Sequence, residues 1–152
     1  GDKSALSWVS LIRQPDFVTP DVFSRVCETV AEKRPALAGA LASDGLRLVC
    51  FAEGPCAQVM HVGPYDDEPA TIAALSSFIA EKDLVTDIAE GGESPEGHAA
   101  TRAFDPEALL AALCADGAVP PIRLHHEIYL GDPRRTSPER LRTVIRHPVR
   151  ER

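Results

Sequence analysis

Aromatic side chains and long apolar runs are scarce in this sequence of 152 residues. Aromatic residues make up 5% of the chain, and Trp8 is the single tryptophan. No segment approaches the roughly 20 consecutive apolar residues of a membrane-spanning helix. The first residues lack the basic and apolar regions of a signal peptide. We therefore expect a cytoplasmic protein that does not interact with a membrane.

Closely spaced cysteine pairs are absent, as are the short motifs that commonly hold a cofactor. The four cysteines, Cys27, Cys50, Cys56 and Cys114, form no CxxC pair of the kind that binds zinc or undergoes redox chemistry. There is also no Ser-His-Asp signature, glycine-rich phosphate loop or HExxH helix. We therefore predict reduced cysteines, no metal site and no cofactor.

An excess of acidic charge argues against a nucleic-acid partner. The chain has 16 basic and 23 acidic residues, for a net charge of −7. A nucleic-acid-binding surface needs basic residues to neutralise phosphates. The charge is uneven, since residues 1–120 carry −11 and residues 121–152 carry +4. A solvated mixed surface explains this pattern, and docking of the basic end on acidic residues is the alternative.

Hydrophobic periodicity predicts a single α+β domain over residues 1–152. Alternation with a period of two predicts strands, whereas apolar residues recurring every three to four positions predict helices. The result is a mainly antiparallel sheet with helices on one face. The predicted strands cover residues 6–13, 46–51, 56–62, 124–130 and 142–148, and the predicted helices cover about 20–34, 68–82 and 105–115.

The order of these segments predicts a hairpin and an insertion. The turn sequence Glu53-Gly54-Pro55 separates two predicted strands, which should therefore pair. From residue 56 onward the chain reads strand, helix, strand, strand, with an insertion at about 85–120. Residues 89–101 within the insertion lack periodicity and are predicted to be a mobile loop.

Glu127 is the most informative candidate for chemistry. It lies in the middle of an otherwise apolar and aromatic strand, so alternation places His125, Glu127 and Tyr129 on one face. Ile128 and Leu130 are expected on the core face. If the Glu127 face lines a cavity, burial makes its carboxylate a better general base or cation partner. An exposed carboxylate on a solvated sheet face is the alternative.

The segment from His61 to Pro69 is the second candidate. Gly63-Pro64-Tyr65 leaves a strand and begins a helix, where an aromatic ring can sit at the mouth of a pocket. Three acids follow, and their simplest explanation is favourable interaction with the helix dipole. The strand histidines are more typical of structural roles, and spacing leaves open whether Trp8 is core or pocket wall.

Three long stretches of the chain resemble a known family. They are residues 14–19 (QPDFVT), 56–72 (CAQVMHVGPYDDEPATI) and 125–149 (HHEIYLGDPRRTSPERLRTVIRHPV). On these stretches the chain resembles the GyrI-like small-molecule-binding domains. Within that family it is similar to the stand-alone branch that includes cyclopropanoid cyclopropyl hydrolases.

The resemblance implies a fold, an activity and a set of site residues. The family fold has two strand–helix–strand–strand modules around a ligand cleft, and the first module is incomplete in this chain. The hydrolases open the strained ring of DNA-alkylating natural products of the duocarmycin and yatakemycin type, which protects the cell. The ligand is then a flat aromatic small molecule. The implied catalytic residues are Glu127 and Tyr65, and the implied ligand contacts are Trp8, His61, His125 and Tyr129.

Two other functions remain open at this stage. The chain is also compatible with a multidrug or effector-binding module in which Glu127 holds a cationic aromatic ligand without catalysis. A protein-interaction inhibitor of the gyrase-inhibitor type is the third possibility, with the acidic residues 1–120 mimicking nucleic acid. The oligomeric state is left open as well.

Overall fold

The computed structural model describes residues 8–42, 46–88 and 123–152. The chain forms two compact units, Gly1–Cys50 and Phe51–Arg152. No helix in the described ranges is long and apolar enough to cross a membrane. The predicted loop at 89–101 and the predicted helix at 105–115 lie outside the described residues.

The first unit contains the predicted capped helix. Helix α1 spans Pro20–Lys33, and the Thr19 Oγ1 accepts a hydrogen bond from the Val22 N–H at 3.3 Å. Pro20 occupies the first helical position, where its missing N–H costs nothing. A 3₁₀ turn at Pro35–Leu37 and a short helix α2, Ala38–Ala42, follow. The prediction of a helix that begins after Thr19 and ends before Pro35 is confirmed.

Two predicted strands are absent from the structure. Residues 8–13 and 46–51 have no regular secondary structure, so the predicted strand at 6–13 and the predicted 46–62 hairpin are wrong. Trp8 and Ile12 are 78% and 79% exposed. Alternation gives a segment the pattern of a strand but does not supply the neighbouring backbone that a strand needs for its hydrogen bonds.

The described residues of the second unit form a four-stranded antiparallel sheet. Its strands are β1 (Cys56–Val62), β2 (Leu84–Thr86), β3 (His126–Tyr129) and β4 (Arg142–Glu151). β1, β2 and β3 each pair with β4. β1 lies along one side of β4, and β3 and β2 lie along the other side, one after the other. The sheet and its helices confirm the predicted α+β class.

Strand β2 changes the predicted boundary of the insertion. Residues 84–86 were not predicted as a strand, yet they pair with Glu151, Arg150 and Val149 at the end of β4. Helix α3, Glu68–Glu81, connects β1 to β2 and packs on both strands. The chain therefore stays in the sheet beyond residue 84, since β4 extends three residues past its predicted end.

One face of this sheet forms the core with α3. The core side chains are Ala57 of β1, Leu75 and Ile79 of α3, and Ile145 and Val149 of β4. Side chains that are direct neighbours across paired strands point to the same face. Glu127 is the register partner of Ile145, so Glu127 lies on the core side of β3.

The prediction that Ile128 and Leu130 face the core is therefore wrong. They lie on the opposite side of β3 and are 36% and 56% exposed. Alternation alone predicts that the apolar residues at even positions of this segment face the core and that the polar residues at odd positions face solvent. Its position beside β4 decides the outcome, because the fully buried Ile145 fixes the inner face for all three strands.

The two isoleucines provide a direct test of which face is buried. Ile145→Ala is expected to lower the free energy of unfolding by about 2–5 kcal/mol, because it leaves a cavity beneath α3. The matched control Ile128→Ala should cost about 1 kcal/mol or less. Urea unfolding of both variants measures this difference. Equal losses, or a larger loss for Ile128→Ala, would contradict the assignment of faces.

Candidate functional site

Polar side chains replace apolar ones where β3 meets the core side of the sheet. Glu127 and Tyr129 project there from β3, and His125 directly precedes that strand. Other residues come from β4, from the start of α3 and from the 3₁₀ turn before it. We call this group the Glu127 cluster, and it consists of Tyr65, Glu68, His125, Glu127, Tyr129, Thr143 and His147.

Two hydrogen bonds orient the Glu127 carboxylate. Oε1 accepts from His125 Nε2 at 3.2 Å, and Oε2 accepts from the Tyr129 hydroxyl. An ionised carboxylate only accepts hydrogen bonds, so the proton of His125 is on Nε2 in this arrangement. The Glu127 side chain is 28% exposed. The carboxylate is therefore oriented by its neighbours and still accessible to a small molecule.

A second histidine, His147, forms a hydrogen bond with the ring of His125. His125 Nδ1 lies 2.9 Å from His147 Nε2, and His147 is 6% exposed. Burial, and secondarily the charge of His125, lowers the pKa of His147 from 6.5 to about 4. When His125 is neutral, with its proton on Nε2, its Nδ1 accepts from His147 Nε2–H. This chain of hydrogen bonds fixes the His125 ring and its N–H toward Glu127.

Glu68 is the functional candidate that sequence reasoning missed. It is the first residue of α3 and is 6% exposed, whereas the preceding acids Asp66 and Asp67 are exposed. The signal in the sequence is its spacing, because Glu68 lies four residues before Ile72 and seven before Leu75, on the apolar stripe of α3. The helix-dipole explanation therefore fits the two exposed acids and is incomplete for Glu68.

The environment of Glu68 favours its neutral form. Burial raises the pKa of the Glu68 carboxyl, and the nearby Glu127 carboxylate raises that pKa further. The charge of His61, a hydrogen bond from the Thr143 hydroxyl and the charge of His125 act in the opposite direction with smaller effects. Glu68 Oε1 is buried without a hydrogen-bond partner in the described part of the chain.

Two tyrosines form a contact between β3 and the 3₁₀ turn that precedes α3. The rings of Tyr65 and Tyr129 form an edge-to-face pair with centroids 5.5 Å apart. Burial, and secondarily the hydrogen bond to Glu127, raises the pKa of the Tyr129 hydroxyl, so this group stays protonated. The structure thus brings together four of the predicted site residues: Tyr65, His125, Glu127 and Tyr129.

The other two predicted ligand contacts are His61, which is the register partner of Thr143 and borders the cluster, and Trp8. His61 is 5% exposed, and its ring bonds the Thr71 hydroxyl at 2.8 Å and the Pro64 carbonyl at 3.0 Å. These bonds hold the turn after β1, where Gly63 has a φ of 140° that other residues rarely adopt. Trp8 belongs to the first unit, and its role as a ligand contact stays a prediction.

Arg123 anchors the chain just before His125. Its side chain is 10% exposed and donates to the Glu53 carbonyl at 2.8 Å, to Asp87 Oδ2 at 2.8 Å and to the Val149 carbonyl at 3.2 Å. On the outer side of β3, the Glu53 carboxylate bonds His126 and Arg146. These polar contacts hold the start of β3 in register and were not predicted.

The described residues give no sign of a metal centre. Within 8–42, 46–88 and 123–152, no three His, Cys, Asp or Glu side chains are arranged to hold a metal ion. Cys27, Cys50 and Cys56 are free thiols, and Cys114 lies outside the described residues.

Comparison with known proteins identifies solved structures of similar fold. No protein-family model matches the chain, and no curated protein matches it at a significant level. A hydrolase from Listeria innocua is 33% identical with a TM-score of 0.60, and a second one is 33% identical with a TM-score of 0.59. An uncharacterized conserved protein from the same organism is 34% identical with a TM-score of 0.62.

These matches concern only part of the solved proteins. They cover 91% of this chain and 50–52% of the three Listeria chains. The chain therefore spans about half the length of the structures it matches. Its similarity to that half extends to sequence as well as fold.

The buried His147 predicts a specific acid sensitivity. Below pH 6.5 the unfolded chain binds a proton at His147, whereas the folded chain binds it only near pH 4. The free energy of unfolding is therefore highest above pH 6.5 and decreases by up to about 3 kcal/mol as the pH falls toward 4. His147→Gln, which retains an N–H donor and does not titrate, should show a smaller loss in urea unfolding. Identical pH dependences in the two proteins would contradict this account.

Proposed function

We propose that the Glu127 cluster is the active site of a small-molecule hydrolase that adds water across an activated cyclopropane. The observation that carries the proposal is the Glu127 carboxylate, which is partly exposed and oriented by His125 and Tyr129, with the Tyr65 ring packed on Tyr129. The similarity to two solved structures described as hydrolases supports the reaction class. The choice of a cyclopropane as substrate rests on the resemblance of residues 56–72 and 125–149 to the ring-opening family.

In this mechanism Glu127 is the general base. Its carboxylate removes a proton from a water molecule as the water oxygen attacks the methylene carbon of the ring. The bond from that carbon to the ring junction breaks, and its electron pair moves to the conjugated carbonyl oxygen. That oxygen takes up a proton and becomes a phenol. The product is the ligand plus one water, and relief of ring strain drives the reaction.

The surrounding residues position the reactants. Tyr65 is the candidate donor to the carbonyl oxygen that gains charge. A flat aromatic ligand can pack against the Tyr65 ring and the Tyr129 ring, which form an edge-to-face pair. The protonated Tyr129 hydroxyl holds Glu127 Oε2, which leaves Oε1 shared between His125 and the attacking water. The cellular role under this proposal is removal of DNA-alkylating compounds.

A binding function without catalysis is the second candidate. The observation that favours it is the combination of a partly exposed carboxylate and two aromatic rings, which suits a cationic aromatic ligand. In that case the ligand leaves the site chemically unchanged. The same experiment distinguishes the two functions.

The test uses mass spectrometry of a duocarmycin-type cyclopropane incubated with this chain. We expect the ligand to gain one water, and Glu127→Gln should lower the rate by at least about 100-fold, because an amide cannot accept the proton. The matched control Glu139→Gln makes the same change at an exposed carboxylate and should retain the wild-type rate.

Two results would reject the hydrolase. One is a Glu127→Gln variant that turns over the ligand as fast as the wild type. The other is an unchanged ligand that still binds to the wild type and binds less tightly to Glu127→Gln, which would establish the binding module.

A further inference from the structure

Glu68 lies where an ionised carboxylate is poorly accommodated. It is 6% exposed, and in the described part of the chain no Lys, Arg or His lies within ion-pair distance of it. Its Oε1 is fully buried and has no hydrogen-bond partner among the described residues. A buried carboxylate without a cation or a full set of donors is costly, and such groups commonly take up a proton.

The groups around Glu68 come from all three neighbouring strands. The titratable groups facing it are His61 of β1 together with His125, Glu127 and Tyr129 of the β3 segment, and Thr143 faces it from β4. Both ring nitrogens of His61 are bonded to the turn after β1, and both of His125 are bonded to Glu127 and His147. Neither histidine therefore has a free N–H to give to Glu68.

We propose that Glu68 is a positioning residue that keeps its proton at neutral pH, so that of the two neighbouring carboxyls only Glu127 is ionised. The role in catalysis rests on the proposed function, whereas the protonation does not. A neutral Glu68 also has an O–H to donate, and the buried Thr143 hydroxyl lies within hydrogen-bond range of it. Protonation thus lets these two buried groups bond without a negative charge at this position.

The charge of Glu68 matters because the reaction transfers negative charge onto the ligand. As the ring opens, the electron pair moves to the carbonyl oxygen, which becomes more negative before it is protonated. A second carboxylate beside Glu127 would oppose that development of charge. Glu68 therefore supports the reaction as long as it is neutral, and activity should decline when it ionises at higher pH.

Infrared spectroscopy tests the protonation without any ligand. We expect wild-type protein at neutral pH to show the carbonyl band of a protonated carboxylic acid. The band should be absent in Glu68→Gln and unchanged in the control Glu139→Gln. In Glu127→Gln the band should disappear at a lower pH than in the wild type, because the neighbouring negative charge has been removed.

Activity measured across pH tests the positioning role. The amide of Glu68→Gln imitates a neutral carboxyl and cannot ionise, so the readout is how kcat/KM changes with pH and not its value at neutral pH. The wild-type rate should fall toward alkaline pH as Glu68 ionises. That fall should be missing in Glu68→Gln, a difference that a purely structural role would not produce.

The outcomes separate this proposal from the proposed function. A wild-type protein without the infrared band, or a band that persists in Glu68→Gln, overturns the protonation even if the ligand is hydrolysed. A Glu68→Gln variant with the wild-type alkaline decline overturns the positioning role. The band without any ring opening rejects the hydrolase and leaves the protonated Glu68 intact. If Glu68→Gln does not fold, the comparison of wild type with Glu127→Gln still decides the protonation.

Discussion

Strand β4 determines the structure of the second unit, because β1, β2 and β3 all take their backbone hydrogen bonds from it. Its buried Ile145 fixes which face of each strand is covered by α3. The register of β3 on β4 then sets Glu127 beside Ile145. A shift of that register by one residue would move Glu127 to the outer face and bring Ile128 inward. The position of the candidate base therefore follows from strand pairing, and Arg123 helps to hold that pairing.

The Glu127 cluster departs from the usual preference for apolar side chains on the inner face of a sheet. Two carboxyls, two histidines and a threonine occupy positions beside the core. Such polar groups cost stability unless they are bonded, and Glu68 Oε1 and His147 Nδ1 are buried without a partner in the described residues. Local violations of packing rules of this kind are typical of functional sites. The hydrogen bonds from His147 to His125 and from His125 to Glu127 fix the orientation of these three side chains.

The sequence was sufficient for features set by local chemistry. Thr19 and Pro20 predicted the start of α1, and alternation correctly placed His125, Glu127 and Tyr129 on one face. The inner face of β3 could not be predicted, because it depends on β4 and α3, which are distant in sequence. The strand expected at residues 6–13 failed for a similar reason, since pairing needs a partner. Glu68 was overlooked because acids at a helix start already have an explanation, and its place on the apolar stripe of α3 distinguishes it only once the sheet is known.

The central claim is that a flat cyclopropane ligand binds with its ring carbon at the Glu127 carboxylate. A crystal structure of the Glu127→Gln variant with the intact ligand tests this claim most directly, since the slow variant preserves the unopened ring. The account predicts the ring methylene beside the side chain at position 127, separated from it by one water, and the aromatic plane against Tyr65 and Tyr129. A ligand seated away from β3, or one whose ring carbon points away from position 127, would contradict it.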